Sequence, residues 1–205
     1  MCGICGFIGK HALISDETLE RMNETLVRRG PDEGGSHRAA GVGLAMRRLS
    51  IIDLEGGHQP ISNEDDTVRV VYNGEIYNYR ELRATLQQRG HRFRTDTDTE
   101  VIVHLYEEYG DELVDHLRGM FAFCLWDSRR ERALIVRDRL GIKPLFYAQV
   151  GEVLLFGSEM KAILASRMIH RDLDYQALDA FMTFTYIPAP LTIYKSVRKL
   201  EPGHM

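Results

Sequence analysis

The chain has 205 residues, of which 44% are hydrophobic and 27% charged, so it is long enough for one well-packed domain but short for two. Its net charge of −4 gives no reason to expect a nucleic-acid partner, and no apolar run approaches the roughly 20 residues that a membrane span needs. Because the first residues also lack the basic start and apolar core of a signal peptide, we expect a cytoplasmic protein without a membrane partner.

The N-terminal part predicts a strand, then a helix, then further strands. Residues 4–8 alternate apolar and small side chains, which is typical of a strand. A helix is predicted over 15–29, with Ser15 as its cap, and Gly30-Pro31 ends it. Further strands are predicted at 42–52 and 68–72, where branched and apolar residues are frequent.

Two helices are predicted next, each opened by a capping box and closed by a glycine. The boxes pair Asn78 with Glu81 and Thr97 with Glu100. Gly90 and Gly110 are expected to end these helices.

The C-terminal part predicts short strands followed by helices. The strands are expected at 120–126, 133–137, 145–148 and 153–156. Ser158 and Asp174 are expected to cap helices that extend to Leu164 and Phe181. Blocks of strands and helices, rather than strict alternation, favour an α+β class in which antiparallel sheets are covered by helices.

The second residue, Cys2, is a candidate nucleophile. Removal of Met1 would place its thiol beside a free α-amino group, whose ordinary pKa of about 7.7–8.0 leaves a sizeable neutral fraction. That amine can act as the general base for the thiol, so a single residue would supply both nucleophile and base.

Other interpretations of Cys2 have to be weighed. An isolated cysteine at a chain end is more often an accidental residue of a frayed terminus. Cys2 and Cys5 could also form a redox or metal motif, but a strand would place them on opposite faces, and Cys124 is the remaining thiol of the chain. The sequence therefore predicts no metal site.

Several segments carry a family resemblance. They are MCGI at 1–4, RRGPD at 28–32, RRLSIIDL at 47–54, YNGEIYNY at 72–79, TDTDTEVI at 95–102, GMFAF at 119–123, RDRLGIKPLFY at 137–147 and GSEMKAI at 157–163. In order over essentially the whole chain, they resemble the glutaminase domain of glutamine-hydrolysing asparagine synthetases. Those domains are class II glutamine amidotransferases and N-terminal nucleophile hydrolases.

The resemblance implies a fold and a domain organisation. The fold is a four-layer αββα sandwich of two antiparallel sheets. Residues 1–182 would form the glutaminase domain, and residues 183–205 would be a connector toward a synthetase domain that this chain lacks. We therefore expect the chain to be one half of a longer protein or an isolated half.

The resemblance makes Cys2 the attacking thiolate and assigns the oxyanion hole to the Asn73 side-chain amide and the Gly74 backbone N–H. Attack on a carboxamide builds negative charge on oxygen, which such donors stabilise. The residues alone favour a different structure, because Asn-Gly is a strong signal for a hairpin turn. A turn at the end of a strand could also aim a backbone donor into a site.

The resemblance assigns the α-carboxylate of glutamine to Arg48, because a guanidinium matches a carboxylate with two hydrogen bonds. Its neighbour Arg47 should point to the other face of the strand and be a surface residue. Asp138 and Lys143, in the RDRLGIKPLFY segment, are expected to shape a turn rather than to contact substrate.

The α-ammonium group of glutamine is assigned to Asp98, with help from Glu75 and from backbone carbonyls near Ile51 and Ile52. Asp96 could serve equally well on charge alone. A carboxylate in the first turn of a helix is also stabilised for purely structural reasons.

The predicted reaction is hydrolysis of L-glutamine to glutamate and ammonia through a cysteine thioester, with no cofactor. ATP and Mg²⁺ are expected only in the missing synthetase domain, which would accept the ammonia to make asparagine. A different acceptor, a non-catalytic amino-acid-binding module and a thiol-redox or metal protein are the alternatives. A homodimer is left open, and no nucleic-acid partner is expected.

Overall fold

The computed structural model describes residues 1–9, 14–50 and 56–205. Its strands are β1 (Gly3–Ile8), β2 (Glu33–Ala39), β3 (Val42–Arg48), β4 (Ile61–Ser62), β5 (Val68–Ile76), β6 (Gly119–Asp127), β7 (Arg132–Arg137), β8 (Phe146–Val150), β9 (Val153–Gly157) and β10 (Arg198–Lys199). Its α-helices are α1 (Asp16–Glu24), α2 (Tyr79–Gln88), α3 (Glu100–Tyr109), α4 (Leu113–His116), α5 (Met160–Ala165) and α6 (Tyr175–Phe184).

The first sheet has the strand order β10-β8-β9-β1-β3-β2. Strand β1 lies inside it, paired antiparallel with β3 on one side and with β9 on the other. Helices α1 and α5 cover the outer face of this sheet. As predicted, Ser15 caps α1, because its side chain accepts a hydrogen bond from the Thr18 N–H.

The second sheet has the order β4-β5-β6-β7, and α2, α3 and α4 pack on its outer face. Strand β4 is only two residues long and pairs with Arg69 and Val70. The rest of β5, from Val71 to Ile76, therefore has β6 on one edge and no strand on the other among the described residues. Loops and side chains cover that edge instead.

The two sheets pack face to face and form the central layer of the core. Inward-facing Ile4, Leu44 and Met46 of the first sheet meet Val71 and Cys124 of the second. With helices on both outer faces, the architecture is the predicted αββα sandwich.

The two predicted capping boxes are wrong. The Asn78 side chain bonds to the His116 carbonyl and the Arg118 N–H, and so links α2 to the start of β6 instead of capping α2. Helix α3 begins two residues later than the motif at Thr97 indicated, with Thr99 at the N-cap position and no capping hydrogen bond from its side chain. The glycines behave as predicted, since Gly90 and Gly110 follow the two helices with φ of 105° and 57°.

Ser158 also differs from its predicted role as a helix cap. It is fully buried, and its hydroxyl accepts a hydrogen bond from the Ile4 N–H at 3.0 Å. Its own N–H donates to the Ile4 carbonyl at 2.8 Å. It therefore fixes β1 two residues after Cys2. The other predicted cap is confirmed, because Asp174 caps α6 with its carboxylate.

Asn73-Gly74 does not form a hairpin turn. Both residues lie inside β5, opposite Ala122 and Phe121 of β6. Strand β5 continues through Asn73-Gly74 to Ile76, because its pairing with β6 overrides the local turn preference.

The C-terminal segment packs back onto the first sheet. Strand β10 pairs with β8, and the Gly203 N–H donates to the Asp138 carbonyl at 2.9 Å. Helix α6 runs across the predicted domain boundary at residue 182. None of the helices in the described ranges is long and apolar enough to span a membrane.

Candidate active site

A cavity of about 200 Å³ lies where the start of β1, the end of β3 and the second half of β5 meet. It brings together every predicted site residue that the structure describes, namely Cys2, Arg48, Asn73, Gly74, Glu75 and Asp98. The predicted carbonyls of Ile51 and Ile52 lie outside the described residues.

Cys2 directly precedes β1, and its thiol is partly buried. Its side chain packs into the layer between the sheets, on the same side as Ile4, and the thiol donates to the Leu49 carbonyl at 3.7 Å. Cys5 faces the opposite side, among residues that contact α1 and α5. The strand therefore separates the two sulfurs, as its side-chain period requires.

Arg29 holds Cys2 in place from the helix side. Its Nε donates to the Cys2 carbonyl at 2.9 Å, and its Nη1 pairs with Glu159 at 3.3 Å. With Ser158 bonded to both backbone groups of Ile4, the start of β1 is tied down on two sides. This is what a chain terminus needs in order to avoid fraying.

Cys2 should be the first thiol to react with an alkylating reagent. Cys5 and Cys124 are fully buried, and burial raises the pKa of each thiol above its usual value, so both lack thiolate and access. Native protein treated with iodoacetamide at neutral pH should gain one adduct, located on Cys2 by peptide mass spectrometry. A second adduct at a similar rate would show that the core opens around the other thiols.

Asn73 is a fully buried amide whose oxygen and nitrogen have no hydrogen-bond partner in the part of the protein that the structure describes. It shares the inward face of β5 with Val71, so it points toward the first sheet and Cys2. Unpaired buried polar groups are rare because they cost about 1–3 kcal/mol. This amide is therefore placed for a partner that enters the cavity.

The Gly74 N–H points into the same cavity from the edge of β5 that does not pair with β6. The Tyr72 and Ile76 N–H groups, two residues before and after it, donate across that edge to Gln59 at 2.7 Å and Asp98 at 2.8 Å. Since alternate N–H groups of a strand face one edge, the Gly74 N–H lies between these two bonds. A Cβ atom at Gly74 would lie 2.4 Å from the Met120 carbonyl oxygen, so only glycine fits.

Arg48 is a buried cation in the lining of the cavity. It continues the inward face of β3 after Met46, its side chain is 5% exposed, and its Nη1 pairs with Glu33 at 3.3 Å. Arg47 points outward and pairs with Glu24, as predicted from the strand period. Gly57 packs against the Arg48 guanidinium so closely that a Cβ there would lie 2.3 Å from Nη2.

Asp98 is the buried anion of the cavity. Its Oδ2 accepts hydrogen bonds from the Tyr72 hydroxyl at 2.7 Å and from the Ile76 N–H at 2.8 Å. Burial raises the pKa of Asp98 above its usual value, although these two donors counteract the shift. Burial and the charge of Asp98 also raise the pKa of Tyr72, which keeps its hydroxyl a neutral donor.

The structure separates the two candidate aspartates. The Asp96 side chain is 88% exposed and pairs with Arg83 at 3.0 Å, away from the cavity. Asp98 is 5% exposed and lines the cavity together with Glu75, whose side chain is exposed at the rim.

The sequence missed several residues of the site. Lys143 lines the cavity and its Nζ donates to the Met1 sulfur at 3.6 Å. Asp138 does shape the expected turn, because its carboxylate accepts from three backbone N–H groups of residues 140–143. Tyr72 and Gln59 support the edge of β5. No local motif distinguishes these residues, because they come into contact only through sheet pairing and loops.

Two stacked antiparallel sheets, covered by helices and with a cysteine directly before an inner strand, form the αββα fold that the resemblance predicted. A family model described as a glutamine amidotransferase domain matches residues 1–205. The chain belongs to this family.

Curated relatives are similar over nearly the whole chain. A glutamine-hydrolysing asparagine synthetase 1 of Bacillus subtilis is 42% identical and covers 99% of this chain, and one from Zea mays is 47% identical over 80% of it. The chain spans 33% and 28% of the lengths of these two relatives. It is therefore homologous to their glutaminase halves.

The fold has matches among solved structures. The glutamine phosphoribosylpyrophosphate amidotransferase of B. subtilis superimposes with a TM-score of 0.63 at 21% identity, over 84% of this chain and 45% of that one. A structure described as the allosteric regulatory enzyme of purine biosynthesis gives 0.66 at 21% identity, over 81% and 43% of the two chains. At this identity the likeness concerns the fold.

Proposed function

We propose that this glutamine amidotransferase domain hydrolyses glutamine with Cys2 as nucleophile and with Asn73 and Gly74 as the oxyanion hole. One observation supports these roles. The buried Asn73 amide, which has no partner among the described residues, lines the same cavity as Cys2 and as Gly74, a position where only glycine fits. Two donors preorganised at one position are what a developing oxyanion requires.

The reaction would use the free α-amine of Cys2 as its base. The amine accepts the thiol proton, and the thiolate attacks the side-chain carbonyl carbon of glutamine. Asn73 and Gly74 hold the tetrahedral oxyanion until the C–N bond breaks. The α-ammonium group of Cys2 gives its proton to the departing amide nitrogen, which leaves as ammonia. Water, deprotonated by the same amine, then hydrolyses the γ-glutamyl thioester to glutamate and restores the thiol.

The opposite charges of the cavity would orient the substrate. Arg48 would bind the α-carboxylate of glutamine, and Asp98, helped by Glu75 and carbonyls near Ile51 and Ile52, would bind its α-ammonium group. A cavity of about 200 Å³ accommodates a single small amino acid. Charge recognition at one end leaves the carboxamide to face Cys2.

The direct test is release of glutamate and ammonia in equal amounts from glutamine by the purified protein. Glutamine should also produce a transient thioester on Cys2, detectable by mass spectrometry after acid quenching. Glutamine binding without turnover by protein that has lost Met1 would instead support a non-catalytic amino-acid-binding module.

Asp98→Asn should weaken glutamine turnover without disturbing the fold. The amide oxygen still accepts from Tyr72 and Ile76, but the charge that pairs with the ammonium is lost. A charged hydrogen bond contributes about 1.5–3 kcal/mol, so kcat/KM should fall roughly 10–150-fold. Steady-state glutamate release measures this effect.

Asp96→Asn is the matched control, because Asp96 is exposed and lies outside the cavity. It should leave kcat/KM within about twofold of the wild type. Equal effects of the two variants would remove Asp98 from the ammonium site.

Burial raises the pKa of Asp98, so this carboxylate becomes protonated at a higher pH than an exposed aspartate does. Because the protonated form no longer attracts the ammonium group, KM for glutamine should begin to rise at that higher pH when the solution is acidified.

The ammonia acceptor is proposed from the relatives. We propose that residues 1–182 form the glutaminase unit and that 183–205 lead to a synthetase domain that uses ATP and Mg²⁺ to make asparagine. Near this boundary α6 and the residues after it expose large apolar side chains, namely Tyr175, Phe181, Met182, Phe184 and Tyr186. A group of exposed large apolar side chains is typical of a surface that contacts another domain. A cytoplasmic location and a cofactor-free glutaminase reaction stay predictions.

A further inference from the structure

Four potential metal ligands, none of which lines the cavity, converge at α3 and the two segments beside it. They are Glu64, His91, His104 and Glu107, here called the His–Glu cluster, and one ligand atom from each lies within 4.8 Å of the others. In both histidines, the Nδ1 atom is the one that lies near the carboxylates of Glu64 and Glu107. His104 is fully buried, and the His91 side chain is 12% exposed.

The spacing of these atoms fits a tetrahedral ion. The Nδ1 of His104 lies 3.3 Å from the Oε2 atoms of Glu64 and Glu107, and the Nδ1 of His91 lies 3.7 Å from the same Glu107 oxygen. The other oxygen of Glu64, Oε1, lies 3.4 Å from the Nδ1 of His91. Ligands at zinc distances of about 2.0–2.2 Å are separated by roughly 3.3–3.6 Å at the corners of a tetrahedron. A small inward movement would bring all four atoms into the coordination sphere.

A second layer of polar groups holds the ligands, as is usual at metal sites. The Nε2 of His91 lies 3.2 Å from Glu108, and that of His104 lies 3.6 Å from Glu100, so each imidazole faces a carboxylate with its other nitrogen. The free oxygens are held too, since the Asn63 amide donates to Glu107 at 2.8 Å and the Arg92 N–H donates to Glu64 at 2.9 Å.

We propose that the His–Glu cluster binds one divalent ion of the zinc class, with two imidazole nitrogens and two carboxylate oxygens as ligands. Imidazole ligands favour zinc and its neighbours over magnesium and calcium. With all four positions taken by the protein, the site is structural and not catalytic. It is independent of the proposed chemistry at Cys2.

The competing occupant of the cluster is a proton. In the absence of metal, burial lowers the pKa of His104, but hydrogen bonds to Glu100 and Glu107 and the charge of Glu64 outweigh it and raise the pKa to about 9. A bound ion would satisfy the same carboxylates while the imidazoles are neutral. A measurement of metal retention at neutral pH separates the two occupants.

The cluster would brace the segment that carries Asp98. Glu64 comes from the turn between β4 and β5, His91 from the loop after α2, and the other two ligands from α3. Glu100, which faces His104, also accepts hydrogen bonds from the Thr95 N–H and hydroxyl at 2.7 and 2.6 Å. An ion here would tie these segments together just outside the glutamine cavity.

The test uses the purified full chain, stripped with a chelator and titrated with Co²⁺ and then Zn²⁺. We expect one equivalent per chain by elemental analysis after desalting, visible absorption bands of tetrahedral Co²⁺ that Zn²⁺ displaces, and a higher Tm with metal. His91→Gln and Glu64→Gln should each weaken binding by more than tenfold. His170→Gln, at an exposed histidine, is the matched control and should bind like the wild type.

Two results would overturn the proposal. One is wild-type protein that retains no stoichiometric Co²⁺ or Zn²⁺ after desalting, which would assign the cluster to a protonated His104. The other is equal retention in His91→Gln, Glu64→Gln and the control, which would place the ion elsewhere. Circular dichroism of each variant shows whether it is folded, and both variants alter partly exposed side chains, so a loss of fold is not expected.

Discussion

Replacing Cys2 with alanine is expected to reduce glutamine hydrolysis by at least about 10⁴-fold, to a rate indistinguishable from the uncatalysed background. The thiol is the nucleophile that forms the thioester, and Cys5 and Cys124 cannot replace it because both are fully buried and neither lines the cavity. Glutamate release in a coupled assay measures the loss. Glutamine should still bind to the variant, because Arg48 and Asp98 are intact.

The role of the α-amine needs a separate comparison, since the alanine variant tests only the sulfur. A protein with an N-terminal tag keeps the thiol but acylates the Cys2 nitrogen, so it should be as inactive as the alanine variant. Cleavage by a site-specific protease directly before Cys2 should restore activity. Met1 lines the cavity and contacts Lys143, so its removal should also clear space for substrate.

The outcomes distinguish the parts of the mechanism. Full activity of the uncleaved tagged protein would exclude the amine as base while leaving Cys2 as nucleophile. Activity of Cys2→Ala equal to that of the wild type would exclude the cysteine mechanism altogether. A C-terminally tagged protein, whose Cys2 is processed normally, is the control for effects of the tag itself.

The layered fold could be predicted from the sequence because its main strands carry a clear apolar pattern. The runs that became β5, β6 and β9 are buried on both faces of their sheets, and the glycines after α2 and α3 ended these helices where expected. Strand β2, with the sequence EGGSHRA, has no apolar alternation, so it could not be predicted. It forms because it pairs antiparallel with β3 along seven residues.

Local motifs failed where long-range contacts offered a polar side chain a better partner. Ser158 satisfies the buried backbone of Ile4 rather than a helix end, and Asn78 joins α2 to β6. Asn73-Gly74 lies in a strand because nine residues of β5 pair with β6. In each case two or more long-range hydrogen bonds outweigh the roughly 1 kcal/mol of a local cap or turn.

The residues of the candidate site depended on the family resemblance more than on pattern. Strand alternation correctly separates Arg48 from Arg47, but only the structure separates Asp98 from Asp96 by burial. The His–Glu cluster could not be predicted from the sequence for a related reason. Its ligands are scattered over three segments of the chain, and no metal-binding spacing links them.

Replacing Asn73 with alanine should lower kcat about 10²–10³-fold and leave KM for glutamine nearly unchanged. The amide would donate to the oxyanion of the tetrahedral intermediate rather than to the ground-state carboxamide, so its loss affects the transition state. Asn73→Asp keeps the shape but lacks the donor, and should be impaired to at least the same degree. Steady-state kinetics of both variants measure these effects.

The free energy of unfolding of an Asn73 variant tests whether this amide serves catalysis or the fold. Both polar atoms of the amide are buried without a partner in the described part of the protein, so they contribute no hydrogen bond to the folded state. Asn73→Leu, which has a similar shape, should therefore leave the free energy of unfolding unchanged or raise it by about 1–3 kcal/mol while it removes activity. A structural role predicts the opposite sign, with stability and activity falling together. Denaturant unfolding of the wild type and Asn73→Leu therefore separates a donor kept for catalysis from one kept for the fold.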